Sequence, residues 1–249
     1  MNNESAGLHP PQRLHALRVF LRARLSPDGY LGLQLTLGAL ALICASWMFG
    51  AIAEDVATAD ALTLFDLRVS AWFHAHARPG LTRAMLVLTN LHGPLAVTLL
   101  SIAGALWLLW RRQRAWLLAL LLSVPGGMLL NAAMKLAFQR ARPSFDDPIV
   151  TLHTYSFPSG HTAGATLLYG FWAVYLAVRV RSRGLRLLIL GGALCMAALV
   201  GLSRIYLGVH YLSDVLAAMC EAFAWLALCL TATHTLHARR MARRPPGGP

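Results

Sequence analysis

Apolar stretches of about twenty residues with almost no charged residues recur along this sequence, and that is the length a helix needs to cross a bilayer. Hydrophobic residues make up 57% of the 249 residues and charged residues only 13%, which is too apolar for an ordinary soluble domain. Six such stretches predict an all-α polytopic membrane protein with six transmembrane helices, and they argue against a soluble bundle of buried helices. They lie between Asp28 and Glu54, between Arg83 and Arg111, between Arg114 and Lys135, from near His161 to Arg179, from Leu187 to about Ser203, and from after Asp214 to before Arg239.

Basic residues are concentrated on one predicted side of the membrane. Of the 22, fifteen precede the first span, follow the sixth, or lie between spans two and three or four and five. Because basic connections face the cytoplasm, we expect both termini there and the protein in the cell inner (plasma) membrane. This orientation accounts for the net charge of +12 without a nucleic-acid partner. The fifteen are Arg13, Arg18, Arg22, Arg24, Arg111, Arg112, Arg114, Arg179, Arg181, Arg183, Arg186, Arg239, Arg240, Arg243 and Arg244.

The chain is expected to form one membrane domain, residues 30–238, between a cytoplasmic N-terminal segment, 1–29, and a cytoplasmic basic tail, 239–249. Residues 54–83 mix apolar and acidic side chains in a pattern typical of an amphipathic helix, here on the outer surface after the first span. That segment either connects two spans or guides lipid to a site. The four cysteines lie singly in apolar stretches, so no disulfide or metal framework is expected.

Three polar segments fall near predicted helix ends, all on the outer side, where charged groups in a membrane protein usually have a function. Lys135 is the only lysine of the chain, and it is joined by Arg142 and Arg204. Each cation alone fits a snorkelling interfacial side chain, but the three together could neutralise a phosphate and its transition-state charge. The segments are Lys135 to Pro143, Pro158 to His161, and Ser203 to Asp214.

The second and third segments hold groups suited to nucleophilic chemistry. Ser159 can cap the helix that follows it, Gly160 permits close backbone approach, and free N–H groups at such a helix start bind anions beside His161. His210 and Asp214 are four residues apart, so they face the same side of a helix. Asp214 could accept a hydrogen bond from one imidazole nitrogen, leaving the other as a nucleophile. A purely structural His–Asp pair is the alternative.

The order and spacing of these segments resemble the three-part signature of the type 2 phosphatidic acid phosphatase family. The resemblance implies a membrane enzyme that hydrolyses a lipid phosphate such as undecaprenyl diphosphate, phosphatidylglycerophosphate or phosphatidate, with its site on the periplasmic or extracellular side. It implies that His210 attacks phosphorus through a phosphohistidine, that Asp214 orients it and that His161 protonates the leaving group. The residues that would hold the phosphate, without a metal or other cofactor, are Lys135, Arg142, Ser159, Gly160 and Arg204.

Several alternatives stay open at this point. The signature does not distinguish hydrolysis from transfer of the phosphate to an alcohol acceptor, and it does not predict the head group or the oligomeric state. Vanadate-dependent haloperoxidases have a similar signature, but they are soluble proteins. A non-catalytic scaffold or transporter would hold these charged residues in the membrane at a cost in free energy and without a function for them. Asp146 and Asp147 favour a solvated loop over a metal site. Glu221, seven residues after Asp214, either lines the active-site cavity or pairs with another helix.

Overall fold

The computed structural model of the chain describes residues 33–242, which form eight helices and no strand. The predicted segment 1–29 and residues 243–249 of the predicted basic tail lie outside the described residues, as do the basic residues expected to orient the N-terminus. The helices are α1 (Leu33–Thr58), α2 (Ala61–Ala75), α3 (Pro79–Asn90), α4 (Pro94–Trp110), α5 (Arg114–Phe138), α6 (Gly160–Ala177), α7 (Arg183–Tyr206) and α8 (Leu212–Ala242).

Four of these helices, α1, α5, α7 and α8, are long and apolar enough to cross a membrane. A fifth candidate span is formed if α3 and α4 are counted as one bent helix. The predicted all-α, multi-pass membrane architecture is thereby confirmed. The count of six stays a prediction, because α6 has only 18 residues and its first half is rich in glycine, threonine and alanine.

The second predicted span, from Arg83 to Arg111, is not one straight helix. It is broken between α3 and α4, which meet at an angle of 43°. Pro94 lacks an N–H group and disfavours helical backbone in the residue before it. Gly93 accordingly has extended backbone, with φ −67° and ψ 168°, and is the N-cap of α4. The helix predicted here is therefore bent at Gly93, and a crossing of the bilayer by α3 and α4 together stays a prediction.

Helix α6 is the most buried helix of the bundle and packs against α5, α7 and α8. Leu167 and Phe171 of α6 are fully buried against Leu120 and Val124 of α5. Gly127 of α5 permits this contact, since a Cβ atom at this position would lie 2.5 Å from Cδ1 of Leu167. Inside a bilayer, close approach at small residues contributes to helix association, because lipid tails are as apolar as the side chains they replace.

Helix α2 lies in the segment where an amphipathic helix was predicted. Its buried residues, Asp66 and Ser70, are polar, whereas the large apolar residues Phe65 and Trp72 are exposed. The polar side of α2 is therefore turned towards the protein interior. Its location at the membrane surface stays a prediction, but its acidic residue is placed to contact the start of α8.

The two ends of the bundle differ in character. Oε1 of Gln113, between α4 and α5, accepts hydrogen bonds from the hydroxyl of Tyr175 at 3.0 Å and from Arg179 at 2.7 Å. These contacts bring the basic connections after α4 and after α6 together at one end. The three polar segments singled out from the sequence meet at the opposite end.

Candidate active site

The structure brings His210 and Asp214 together at the start of α8. His210 lies in the loop after α7, where Gly208 turns the chain with a φ of 68°. Oδ2 of Asp214, in the first turn of α8, is 3.3 Å from Nδ1 of His210. The same oxygen accepts hydrogen bonds from the backbone N–H of Tyr211 at 2.9 Å and from the hydroxyl of Ser156. The predicted pairing of imidazole and carboxylate is therefore present, and both groups are buried.

Arg142 determines which nitrogen of His210 carries the lone pair. Its Nη1 atom lies 3.1 Å from Nε2 of His210 and donates to the carbonyl of Val209 at 2.6 Å. A guanidinium has donors only, so Nε2 is the acceptor and the proton of the neutral ring is on Nδ1, facing Asp214. Burial lowers the pKa of His210 to about 3, against the opposing effect of Asp214. The imidazole is therefore neutral at neutral pH, with its free lone pair on Nε2.

The start of α6 lies beside this pair. Ser159 is the N-cap residue, but its hydroxyl accepts a hydrogen bond from Thr162 at 3.0 Å and caps no backbone N–H. The predicted side-chain cap was wrong, and the first N–H groups of α6, which have no partner within the helix, are left for another acceptor such as an anion. The backbone N–H of Ser159 donates to the carbonyl of Asp214 at 3.0 Å, which fixes α6 to α8.

His161 is half-buried in the first turn of α6. The titratable side chains near it are Arg204, Arg142, Lys135 and the second histidine, His210. The break between α3 and α4 borders it, since a Cβ atom on Gly93 would lie 3.7 Å from Nε2 of His161. This position suits a residue that donates a proton to a leaving group located next to the break between α3 and α4.

Lys135 is used in a way that the sequence did not predict. Its Nζ atom donates to the carbonyls of Tyr155 at 3.0 Å, Ser156 at 3.2 Å and Pro158 at 2.5 Å. An ammonium has three donors, so all of them are engaged by the loop before α6. Lys135 thus stabilises the loop that leads to Gly160, whose Cα faces the Cε atom of this lysine.

The two arginines of the motifs are held differently. Arg142 donates from Nε and Nη2 to the carbonyl and hydroxyl of Thr154 at 2.7 and 2.9 Å, and burial lowers its pKa although Asp214 opposes this effect. Arg204 is buried, and its Nη1 donates to the hydroxyl of Thr89 at 2.6 Å. Nε of Arg204 is buried without a hydrogen-bond partner among the described residues. It is therefore a free donor close to the histidines.

The residues singled out from the sequence meet around Nε2 of His210. Three cations, the open N-terminus of α6 and a second histidine surround a neutral imidazole. This arrangement can attract a tetrahedral dianion, neutralise charge that develops on its oxygens and present a nucleophile to its centre. The residues so assembled are Lys135, Arg142, Ser159, Gly160, His161, Arg204, His210 and Asp214.

Comparison with known proteins agrees with this chemistry. A family model described as PAP2 superfamily matches residues 116–238. Phosphatidylglycerophosphatase B of Bacillus subtilis (strain 168) is 36% identical over 144 residues, covering 56% of this chain and 68% of that protein. The chain belongs to the PAP2 superfamily. The family that the three motifs resemble is thereby confirmed.

Two solved structures share the PAP2 fold of this chain. The crystal structure of a transmembrane PAP2 type phosphatidylglycerolphosphate phosphatase from Bacillus subtilis has a TM-score of 0.68 and 27% identity, over 83% of this chain and 98% of that one. The crystal structure of Aquifex aeolicus LpxE has a TM-score of 0.54 and 24% identity, over 67% of this chain and 94% of that one. The second likeness concerns the fold alone.

Sequence reasoning missed several polar residues that contact the PAP2 motifs. Arg140, to which no role was assigned from the sequence, donates to Oδ1 of Asp214 at 2.7 Å. Asp66, Ser156 and Thr89 are buried polar residues bound to motif side chains or to their neighbours. Arg140 lies inside the first motif, and Asp66 is an acidic residue in a largely apolar segment. Both could therefore have been recognised from the sequence as candidate site residues.

Two further predictions concern acidic residues near the site. Glu221 pairs with another helix, since its Oε2 accepts a hydrogen bond from Asn131 of α5 at 2.9 Å. It also lines an apolar cavity of about 210 Å³ between α1, α5 and α8, but none of the motif residues lines that cavity. Asp147 is exposed and pairs with His74 at 2.9 Å, and this hydrogen bond lowers the pKa of Asp147. The predicted solvated loop at Asp146 and Asp147 is thus confirmed.

Proposed function

We propose that this chain hydrolyses a lipid phosphate or diphosphate through a phosphohistidine formed at Nε2 of His210. As a member of the PAP2 superfamily it is a membrane lipid phosphatase. The observation that carries the mechanism is the environment of one imidazole. Nδ1 of His210 lies 3.3 Å from the carboxylate of Asp214, and Nε2, 3.1 Å from Arg142, holds the lone pair.

In the first step the lone pair on Nε2 of His210 attacks phosphorus, and the bond from phosphorus to the lipid oxygen breaks. His161 must carry a proton at this point, and the negative charge of the bound phosphate favours that state where the nearby cations alone disfavour it. It gives this proton to the lipid oxygen, so the lipid leaves as an alcohol or as a shorter phosphate. The imidazole becomes positively charged in the phosphohistidine, and the carboxylate of Asp214 stabilises this charge through the proton on Nδ1.

In the second step the phosphohistidine is hydrolysed. His161 takes a proton from a water molecule, whose oxygen attacks phosphorus while the bond from phosphorus to Nε2 of His210 breaks. Inorganic phosphate is released, and the imidazole returns to its neutral state with the proton on Nδ1. His161 has then given one proton and taken one back, so the enzyme is regenerated.

The phosphate oxygens are proposed to bind the cations and the N-terminus of α6. Arg204 offers Nε, which has no partner among the described residues, and Gly160 allows the backbone N–H groups to approach closely. Arg142, now bound to Nε2 of His210, would turn to the incoming phosphate and free the nucleophile. Lys135 would contribute its charge, either through the loop it holds or by exchanging one carbonyl for a phosphate oxygen.

Phosphatidylglycerophosphate is the substrate that we propose to test first. Two relatives carry that substrate in their names, the curated protein with 36% identity and the solved structure with a TM-score of 0.68. Undecaprenyl diphosphate and phosphatidate offer the same terminal phosphate to the same cations. A panel of these three lipids, assayed for release of inorganic phosphate by the purified protein, separates them by kcat/KM.

Transfer of the phosphate to an alcohol is the second candidate, because a phosphohistidine at His210 can react with any oxygen nucleophile that reaches it. Release of inorganic phosphate from a single pure lipid supports the hydrolase. A requirement for a second, alcohol-bearing lipid or sugar would support the transferase.

We propose a membrane topology in which the site faces the periplasm or the exterior. The basic connections at the Gln113 end of the bundle support this orientation, since such connections face the cytoplasm. Six spans with both termini inside follow if α6 and the bent pair of α3 and α4 each cross the bilayer. Residues 30–238 would then form the membrane domain, with 1–29 and 239–249 as cytoplasmic segments.

The mechanism is tested by trapping the covalent intermediate. His210→Ala should abolish turnover and labelling, because the covalent route is closed. His161→Ala should slow lipid hydrolysis about a hundredfold to ten-thousandfold, but with an aryl phosphate, whose leaving group needs no proton, it should accumulate phosphoenzyme. An alkaline quench preserves phosphohistidine for mass spectrometry. Label on Ser159, or near-normal activity of His210→Ala, would rule the mechanism out.

A further inference from the structure

We propose that Asp66 and Arg140 are positioning residues, which hold the carboxylate of Asp214 in the orientation that His210 requires. Asp66 lies outside the three motifs, and Arg140 lies inside the first motif without being one of the residues to which the family resemblance assigns a role. The proposal rests on the proposed function, in which His210 is the nucleophile and Asp214 its partner. It concerns how that pair is kept in place by a helix, α2, that lies far away in sequence.

Arg140 joins two carboxylates and a hydroxyl through three of its five N–H donors. Its Nη1 donates to Oδ1 of Asp214 at 2.7 Å and to the hydroxyl of Ser213 at 2.7 Å, and its Nη2 donates to Oδ2 of Asp66 at 2.8 Å. Its guanidinium also lies over the ring of Tyr211, 4.3 Å from the ring centre. The side chain is held on four sides, and of the side chains that hold it only Asp214 bonds to the imidazole of His210, so we assign its effect on the reaction to that contact.

Asp66 fixes Arg140 and the start of α8 at the same time. Its side chain is fully buried, Oδ1 accepts a hydrogen bond from the backbone N–H of Ser213 at 2.9 Å, and Oδ2 accepts one from the hydroxyl of Ser213. A carboxylate at this place is favoured by the dipole of α8 as well as by the guanidinium. The acid of α2 thus caps the helix that carries Asp214.

The two oxygens of Asp214 are held from opposite sides. Arg140 holds Oδ1, while Oδ2 receives the N–H of Tyr211, the hydroxyl of Ser156 and the Nδ1 proton of His210. A carboxylate anchored at one oxygen cannot rotate about its own axis, so the other oxygen stays directed at the imidazole. Without Arg140 the carboxylate of Asp214 would be able to rotate, because only the hydrogen bonds to Oδ2 would remain.

The backbone of Arg140 supports the same group. Its carbonyl accepts a hydrogen bond from the N–H of Ser156 at 2.8 Å, and the hydroxyl of Ser156 is bound to Asp214. Side chain and backbone of one residue therefore reach the carboxylate by two routes. An ion pair that only joined α2 to the loop after α5 would not need these two contacts to Asp214.

The test uses Asp66→Asn and Arg140→Gln, each alone and combined with Asp214→Asn, in the full chain. Partners that orient a functional histidine typically change activity about 10- to 100-fold, and we expect a fall of that size in kcat for each single variant. KM for the lipid phosphate and inhibition by inorganic phosphate should change less than about threefold, since no phosphate contact is lost. In the Asp214→Asn background neither substitution should lower kcat further, because both act through that carboxylate.

A second substrate separates positioning from proton donation. With an aryl phosphate the slow formation of phosphoenzyme in Asp66→Asn and Arg140→Gln should persist, since attack by His210 is still needed. In His161→Ala the rate of phosphoenzyme formation should recover, since this leaving group needs no proton. Arg140→Lys, which keeps a charge beside Asp214, should recover part of kcat. Arg68→Gln changes an exposed charge two residues from Asp66 on α2 and should behave like the unaltered protein.

The outcomes decide the proposal independently of the proposed function. Asp66→Asn keeps the shape of the side chain and the acceptor for Ser213, so it remains informative if Arg140→Gln does not fold in detergent. Unaltered kcat in Asp66→Asn, or losses that multiply with that of Asp214→Asn, would overturn the positioning role. Loss of all activity in His210→Ala, measured in the same experiment, supports His210 as the nucleophile whether or not the Asp66 and Arg140 variants lose activity.

Discussion

Nη1 of Arg204 lies 2.6 Å from the hydroxyl oxygen of Thr89, and this bond ties the third motif to α3, a helix that carries no motif residue. Both side chains are buried. With Nη1 engaged, the guanidinium is fixed in a plane in which its Nε atom remains without a partner among the described residues. The hydroxyl of Thr89 therefore orients a donor that is available to a phosphate oxygen.

Thr89→Val should weaken phosphate binding while keeping the shape of the side chain. A hydrogen bond to a charged group contributes about 1.5–3 kcal/mol, and each 1.4 kcal/mol is a factor of ten. We expect KM for the lipid and the inhibition constant of inorganic phosphate to rise together by about tenfold or more. Thr98→Val, which removes an exposed hydroxyl bound to the carbonyl of Pro94, is the control. An unchanged inhibition constant would contradict the orienting role.

The protonation state of His210 should be directly visible. Because burial lowers its pKa to about 3 from an ordinary value of 6.5, ring-labelled protein should show a neutral imidazole with the proton on Nδ1 between pH 5 and 8. Between about pH 6.5 and 3 the unfolded chain binds a proton that the folded chain does not, so this histidine lowers stability as pH falls through that window. Nitrogen-15 NMR, assigned with His210→Gln, measures the tautomer. A ring protonated at pH 6 would refute the assignment.

The helical membrane architecture could be predicted because the bilayer demands a fixed apolar length, which the sequence displays directly. The break at Gly93 was missed because α3 and α4 together have the length of one span. Hydropathy shows the length of an apolar stretch but not a bend within it. Helix α1 also continues to Thr58, past the acidic residue Glu54 where the apolar stretch stops. A helix ends where its backbone loses partners, and a charge alone does not end it.

The part of the site that depends on residues close together in the sequence could be predicted. His210 and Asp214 are four residues apart, and this short separation predicted their pairing, although His210 lies in the loop before α8 and not on the helix as expected. The contact between Asp66 and Arg140 joins residues 74 positions apart, and no spacing predicts it. The same holds for Lys135, whose charge suggests a phosphate contact, whereas its three donors are taken by carbonyls that only the folded loop brings near.

Hydrolysis should not require a divalent metal. Lys135, Arg142 and Arg204 supply positive charge around the proposed phosphate position, which is the role a metal ion has in other phosphatases. Activity of the purified protein should survive EDTA, and vanadate should inhibit it, since it adopts the five-coordinate geometry of phosphoryl transfer when bound by His210. Loss of activity in EDTA that magnesium restores would count against the site.

The orientation of the site can be determined by labelling from outside the cell. In a variant without native cysteines, Asp146→Cys, in the exposed loop after α5, should react with an impermeant thiol reagent in intact spheroplasts, since basic connections hold the opposite end in the cytoplasm. Arg181→Cys, exposed between α6 and α7, should react only after the membrane is permeabilised. Asp146 is chosen over its neighbour because Asp147 pairs with His74, and that contact would be lost. Both variants should keep lipid phosphatase activity, so that labelling reports the folded protein. The reverse pattern would place the catalytic end in the cytoplasm and overturn the proposed topology.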